Sequence, residues 1–124
     1  MTTKKEIAIK YLAYLNKGDI EKIIQLFNEN GVVDSPIYGL MKADEFYHKL
    51  HNDTSNSELR LKGIFEDNDS NKLALYFGYT WTLKNKAEVE FDVVDIIEFD
   101  SFNMIDKLKI IYDTVVARSL VKQL

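Results

Sequence analysis

The stretch GVVDSPIYG, Gly31 to Gly39, sets an acid and a hydroxyl, Asp34 and Ser35, directly before Pro36, the one proline of the chain. An acid at the end of an apolar pair, beside a turn, is either a turn former or a proton-transfer group at the mouth of a pocket. A second acid interrupts a pattern further on. Val89, Phe91, Val93, Ile97 and Phe99 share one parity with Asp95, while Glu88, Glu90, Asp92 and Glu98 take the other. Strand side chains alternate between faces, so a regular strand points Asp95 to the apolar side. A β-bulge near Val93-Val94 would reverse that. Val94 and Ile96 are apolar as well, so the segment can be covered on both faces. Burial drives a carboxyl group toward its protonated form, which can donate a hydrogen bond to a developing oxyanion. The alternative is a structural acid satisfied by a tyrosine, a backbone amide or water.

The other chemistry-bearing residues are less pointed. His48 and His51 lie three apart on or just after a helix, but two histidines make a weak metal site, and solvated side chains are expected. Asp92 and Asp95 are three apart, which puts them on opposite faces of a strand. Glu88, Glu90 and Asp92 read as an exposed edge or convex face. Tyr38, Tyr76, Tyr79 and Trp81 are candidates for a pocket or an interface, since each ring carries a polar handle. Phe77, Tyr79 and Trp81 share a parity and are expected along one wall; ordinary core packing is the competing reading. There is no glycine-rich phosphate loop, no serine-nucleophile elbow and no zinc motif. The absence of cysteine removes disulfides, thiolate metal sites and cysteine nucleophiles.

The elements that must position these groups follow from periodicity. Thr2 or Thr3 caps a first helix with Ile7, Ala8, Tyr11, Leu12 and Leu15 on one stripe, stopped at Lys17-Gly18. Asp19 caps a second helix burying Ile20, Ile23, Ile24 and Phe27. A short strand, Val32 to Ser35, precedes Pro36, and a third helix covers Lys42 to His51 with Phe46, Tyr47 and Leu50 inward. The polar stretches His51–Glu58 and Glu66–Lys72 read as loops. From Leu59 the period is two: Leu59, Leu61 and Phe65, then Leu73 to Leu83, a turn at Lys84–Lys86, then Val89 to Phe99, and a last strand at Leu108–Tyr112. The segment 114–124 is left open between strand and helix. Helices followed by long strands predict an α+β fold: a curved antiparallel or mixed sheet whose concave face is covered by about three helices, with a pocket at the open end.

The chain has 124 residues, 46% of them hydrophobic and 12% aromatic, enough for the core of one domain over residues 1–124. The net charge of −4 comes without a basic stripe, so nucleic acid is not an expected partner. No run approaches the roughly 18 apolar residues of a membrane span. The N-terminal MTTKKEIAIKYL lacks a secretory signal pattern, so a cytoplasmic protein is expected.

Five stretches resemble the ketosteroid isomerase and SnoaL-like polyketide-cyclase branch of the nuclear transport factor 2-like superfamily. They are YLAYLNKGD (Tyr11–Asp19), IIQLF (Ile23–Phe27), VVDSPIYG (Val32–Gly39), FDVVDIIEFD (Phe91–Asp100) and KLKIIYD (Lys107–Asp113). The resemblance implies a cone, a bent sheet wrapped around helices, with a deep apolar pocket and frequent dimers through the outer sheet face. It implies no cofactor and no metal. In ketosteroid isomerases a tyrosine of the first helix and a buried aspartic acid of a late strand form the oxyanion hole. The matching positions are Tyr11 and Asp95. The general base there is an aspartate directly before the proline. Here that position holds Ser35, with Asp34 one residue earlier. A one-residue shift turns a strand side chain to the other face unless the chain bulges. The stretch Ser101–Ile105 is also longer than the tight turn common in the family.

The expected protein is a small-molecule pocket. Proton transfer next to a carbonyl of an apolar ligand would use Tyr11 and Asp95 as oxyanion donors and Asp34 as base, with Ser35, Tyr38, Phe77, Tyr79 and Trp81 against the ligand. The alternative is a binding or protein-interaction module of the same fold. The expected partners are a small apolar molecule and a second copy of the chain, with no nucleic acid and no membrane.

Overall fold

Thr3 accepts the Glu6 N–H on its hydroxyl at 3.1 Å and opens α1 (Lys4–Lys17). Gly18 closes it with φ of 73°, a left-handed conformation that costs glycine little. Asp19 caps α2 (Ile20–Ile24) by accepting the Lys22 N–H. The computed structural model describes residues 2–67 and 69–124. The remaining elements are β1 (Phe27–Ser35), β2 (Gly39–Lys42), α3 (Ala43–Asp53), β3 (Thr54–Asp67), β4 (Lys72–Leu83), β5 (Glu88–Phe99), β6 (Ile105–Ile111) and α4 (Val115–Val121).

The strands form one mixed sheet in the order β2-β1-β6-β5-β4-β3. The pairing of β1 with β6 is parallel and the other neighbours are antiparallel. α1 packs on β3 and β4, and α3 closes the same side from β1, β2 and β3. The inward face of β4 is buried from Leu73 through Leu75, Phe77, Tyr79 and Trp81 to Leu83. These residues join Ile7, Ala8, Tyr11 and Leu15 of α1 and Phe46 and Tyr47 of α3 in one core. This is the α+β order expected from the helix-then-strand pattern and the cone implied by the resemblance.

Several boundaries differ from the sequence reading. Phe27 does not extend α2; it starts β1 and pairs with Ile105. The spacing of Ile20, Ile23, Ile24 and Phe27 suits a helix, but pairing with β6 supplies the backbone partners that decide the conformation. The register then slips between Phe27 and Val32, and Asn28 fills the irregularity by donating to Asp100 and Asp106 at 3.0 and 3.1 Å. The stretch His51–Glu58 is not a loop: α3 runs to Asp53 and β3 begins at Thr54. β3 is an edge strand that opens on polar residues, so composition concealed its start. In Glu66–Lys72, Glu66 and Asp67 end β3, Lys72 begins β4, and Asn68 lies outside the described residues.

A register shift between Leu61 and Gly63 divides the parity series of β3. Ile64 pairs with Leu75 and packs against the core, whereas Phe65 pairs with Ala74 and is 62% exposed. Leu61, expected inward, is also exposed. The longer 100–104 turn is held by Asp100, whose carboxylate accepts the Phe102 and Met104 N–H groups at 2.8 and 3.0 Å. β2 had no signature in the sequence, and α4 makes a fourth helix from the segment left open. Ala117 is its buried anchor, and Arg118 donates to the Pro36 carbonyl at 2.6 Å.

Candidate functional site

Asp95 sits where parity put it. β4 and β5 pair without a break from Lys72–Glu98 to Thr82–Glu88, so no bulge turns the carboxyl group outward. Asp95 is 1% exposed, and neither carboxyl oxygen has a hydrogen-bonding partner among the described residues. Burial pushes its pKa well above the usual carboxylate range. In a neutral form it offers one O–H donor and one carbonyl acceptor.

Tyr11 enters from α1 and is fully buried. Its hydroxyl lies 2.8 Å from that of Tyr47 on α3, with the two rings in an edge contact. Burial raises the pKa of Tyr11 first, and the nearby Tyr47 and Asp95 add to it, so the phenol stays neutral. Tyr47 is a site residue that the sequence reading placed only in the core. Its helical spacing marked it as inward but carried no sign of the hydroxyl pair.

Tyr11 and Asp95 line a common cavity of about 40 Å³, measured as the space open to the centre of a water-sized sphere. β4 contributes Phe77, Tyr79 and Trp81; β5 adds Phe91 and Val93; Ile110 and Tyr112 close the β6 side. α1 and α3 supply Leu15, Phe46 and Leu50, and the turn after β1 supplies Ser35 and Tyr38. The deep pocket implied by the resemblance is therefore small, because aromatic rings fill most of the cone. One water needs roughly 10–15 Å³ on this measure, so the space suits a ligand of a few non-hydrogen atoms.

The polar handles of the aromatic wall are mostly engaged. Tyr38 donates to Asp53 at 2.6 Å, Trp81 donates to Thr54 at 2.8 Å, and the Tyr79 and Ser57 hydroxyls are 2.8 Å apart. Burial, then the Asp53 bond, raises the Tyr38 pKa, and burial raises that of Tyr79. All three partners lie in the stretch expected to be a loop. Their polar character is what made it look like one.

Ser35 is 5% exposed, and its Oγ accepts the Ile37 and Tyr38 N–H groups at 3.3 and 3.2 Å. Asp34 takes the other face. Gly31, Val33 and Ser35 are buried, while Val32 and Asp34 are partly exposed, so the alternation continues up to Pro36. Asp34 pairs with Leu40 and Lys109 and does not line the cavity. The displacement by one residue from the expected base position is thus a displacement to the opposite face. Tyr76 also lies outside the cavity, 3.4 Å from Asp92. Glu90 and Asp92 pair with Arg60 and Lys62 on that outer side. The His48 Nδ1 lies 2.7 Å from the Asp44 carbonyl, and His51 is exposed. No group of three or more His, Cys, Asp or Glu among the described residues is arranged to hold a metal ion.

The helix-flanked, bent six-stranded sheet with its site inside defines the nuclear transport factor 2-like cone. No protein-family model matches the chain, and comparison with curated proteins gives no match. Solved structures share the whole architecture. A protein with a ketosteroid isomerase-like fold from Catenulispora acidiphila, in complex with trimethylamine, is 14% identical at a TM-score of 0.79, covering 94% of each chain. A candidate SnoaL-like polyketide cyclase from Shewanella putrefaciens is 12% identical at 0.76, covering 100% of this chain and 99% of its own. The epoxide hydrolase/cyclase-like enzyme SalBIII, of pyran ring formation in the polyether salinomycin, is 18% identical at 0.77, covering 89% and 90%. At these identities the likeness is one of fold alone. Among the described residues, no helix is long and apolar enough to cross a membrane.

Proposed function

We propose that the cone is a small-molecule pocket that takes a largely apolar ligand and hydrogen-bonds its polar group at Asp95. The observation that carries this reading is Asp95 itself: buried, with neither carboxyl oxygen bonded among the described residues, at an aromatic cavity. A buried polar group without a partner is costly in a fold that has no use for it. Tyr11 is the second donor within the same wall. Proton transfer next to a carbonyl, with Asp34 as base, is the less favoured reading, because Asp34 lies on the opposite face from the cavity. If chemistry occurs, Asp95 is the acid in contact with the ligand. Neighbours of the same fold, a cyclase-like enzyme and a protein in complex with trimethylamine, support small ligands for it.

Trp81, the sole tryptophan, lines the cavity and reports on its contents. Its fluorescence is to be followed during titration with small ketones, alcohols and amines. A saturable change that is lost in Val93→Phe, which fills the cavity, supports the pocket. If no compound gives a saturable change, the reading fails. We extend the proposal to a homodimer through the outer sheet face, where Phe65 and Ile111 are exposed; light scattering at the monomer mass would reject it.

A further inference from the structure

The walls of the cavity are aromatic. Eight aromatic residues line it, from Tyr11 and Phe46 on the helices to Trp81 and Tyr112 on the sheet side. No Lys, Arg or His lies among its lining residues. Aromatic faces carry negative potential and attract a cation, most strongly when water is excluded. Asp95 has two orphan oxygens, so a ligand with two N–H donors can satisfy both, whereas a carbonyl oxygen can engage only the acid's single O–H. The volume of about 40 Å³ limits the occupant to a few heavy atoms.

We propose that the natural ligand is a small protonated alkylamine, its N–H groups on the Asp95 carboxylate and its alkyl groups against the aromatic wall. This rests on the pocket reading above and narrows it to a ligand class. Binding then includes a proton step that balances. Buried Asp95 starts as the acid, the ammonium ion arrives charged, and the carboxyl proton passes to the buffer as the ion pair forms. The titratable groups that face Asp95 are Tyr11 from α1, Tyr47 from α3 and Tyr79 from β4. All three are phenols held neutral by burial, so none competes as counter-ion to the amine.

The two ligand classes give opposite pH signs. A cation must displace the Asp95 proton, so its affinity rises about tenfold per pH unit until the pKa of Asp95 in the free protein is passed. A ketone uses that proton, so its affinity is flat and then falls over the same range. Dimethylammonium chloride, tetramethylammonium chloride (which lacks an N–H) and acetone serve as probes of similar size. They are followed by Trp81 fluorescence and NMR between pH 5 and 8 at fixed ionic strength. Three heavy atoms set a ceiling on affinity near 0.5 mM, roughly, so the titrations extend to about 100 mM.

The expected result is saturable dimethylammonium binding that strengthens with pH, at least tenfold weaker tetramethylammonium binding, and loss of the pH dependence in Asp95→Asn. Should Asp95→Asn fold poorly, Val93→Phe supplies the blocked-cavity control. Acetone binding without dimethylammonium binding, or dimethylammonium affinity flat or falling with pH, overturns the amine while leaving the pocket. No saturable response from any probe overturns both.

Discussion

Replacing Asp95 by Asn removes a buried titration while keeping the shape of the side chain. Asp95 is 1% exposed and has no hydrogen-bonding partner among the described residues, so its native pKa is raised by burial above the value of about 3.9 for an unfolded aspartate. Below that pH both states hold the proton, and Asp95 does not oppose folding. As the pH rises, the unfolded chain releases the proton and the native chain does not. Wild-type stability therefore falls by about 1.4 kcal/mol per pH unit until the native pKa is passed, and then levels off. The Asn variant has no such slope. Over each pH unit between the unfolded and the native pKa the variant gains about 1.4 kcal/mol on the wild type. That is measurable against the roughly 6–19 kcal/mol expected for a chain of this length. Urea unfolding of both proteins at pH 4, 5, 6 and 7, followed by circular dichroism, measures the difference directly. A stability difference that stays constant within about 0.5 kcal/mol over this range would refute the reasoning, because it would mean that Asp95 is ionised and paired in the native state.

Other substitutions probe the supports of the site. Tyr47→Phe leaves the Tyr11 hydroxyl buried without its 2.8 Å partner and should cost about 1–3 kcal/mol in urea unfolding; the Tyr11→Phe/Tyr47→Phe double variant should lose less than the sum of the single changes. Gly31→Ala places a Cβ 2.8 Å from the Phe27 ring and 3.1 Å from the Asn28 carbonyl oxygen, and about 1–3 kcal/mol should be lost at this register slip. Gly78→Ala meets the far end of the Arg60 side chain at 3.0 Å, which can move, so a smaller loss is expected. Asp34→Asn should leave the affinity of any cavity ligand unchanged within twofold; a tenfold loss in the fluorescence titration would place Asp34 in the pocket after all.

The core strands were legible because their inward faces form unbroken alternating series. Leu73 to Trp81 and Val89 to Ile97 pair with each other in continuous register, so period-two reasoning carried through to Asp95. The same reasoning failed on β3, where a slip between Leu61 and Gly63 reverses the faces and sends Phe65 outward. Bulges leave little trace in composition, since they are set by the partner strand. β2 was missed for a related reason: four residues are too few for a period, and it exists because β1 offers it a neighbour. Phe27 and the segment His51–Glu58 show the same competition, with local propensity pointing one way and backbone pairing the other.

At the site, the sequence by itself determined the acid in the apolar series, the helix stripe carrying Tyr11 and the wall of Phe77, Tyr79 and Trp81. Those follow from two periodicities and need no knowledge of distant neighbours. Only the tertiary structure decided how these groups stand to one another. It brought Tyr47 against Tyr11, anchored the aromatic handles on Asp53, Thr54 and Ser57, left both Asp95 oxygens without a partner, and kept Asp34 off the cavity. The physical reason is that hydrogen bonds and burial are properties of pairs brought together by folding, here residues up to 36 positions apart for the tyrosine pair. In an unbroken strand, which face a residue takes is local information, and what waits for it there is not.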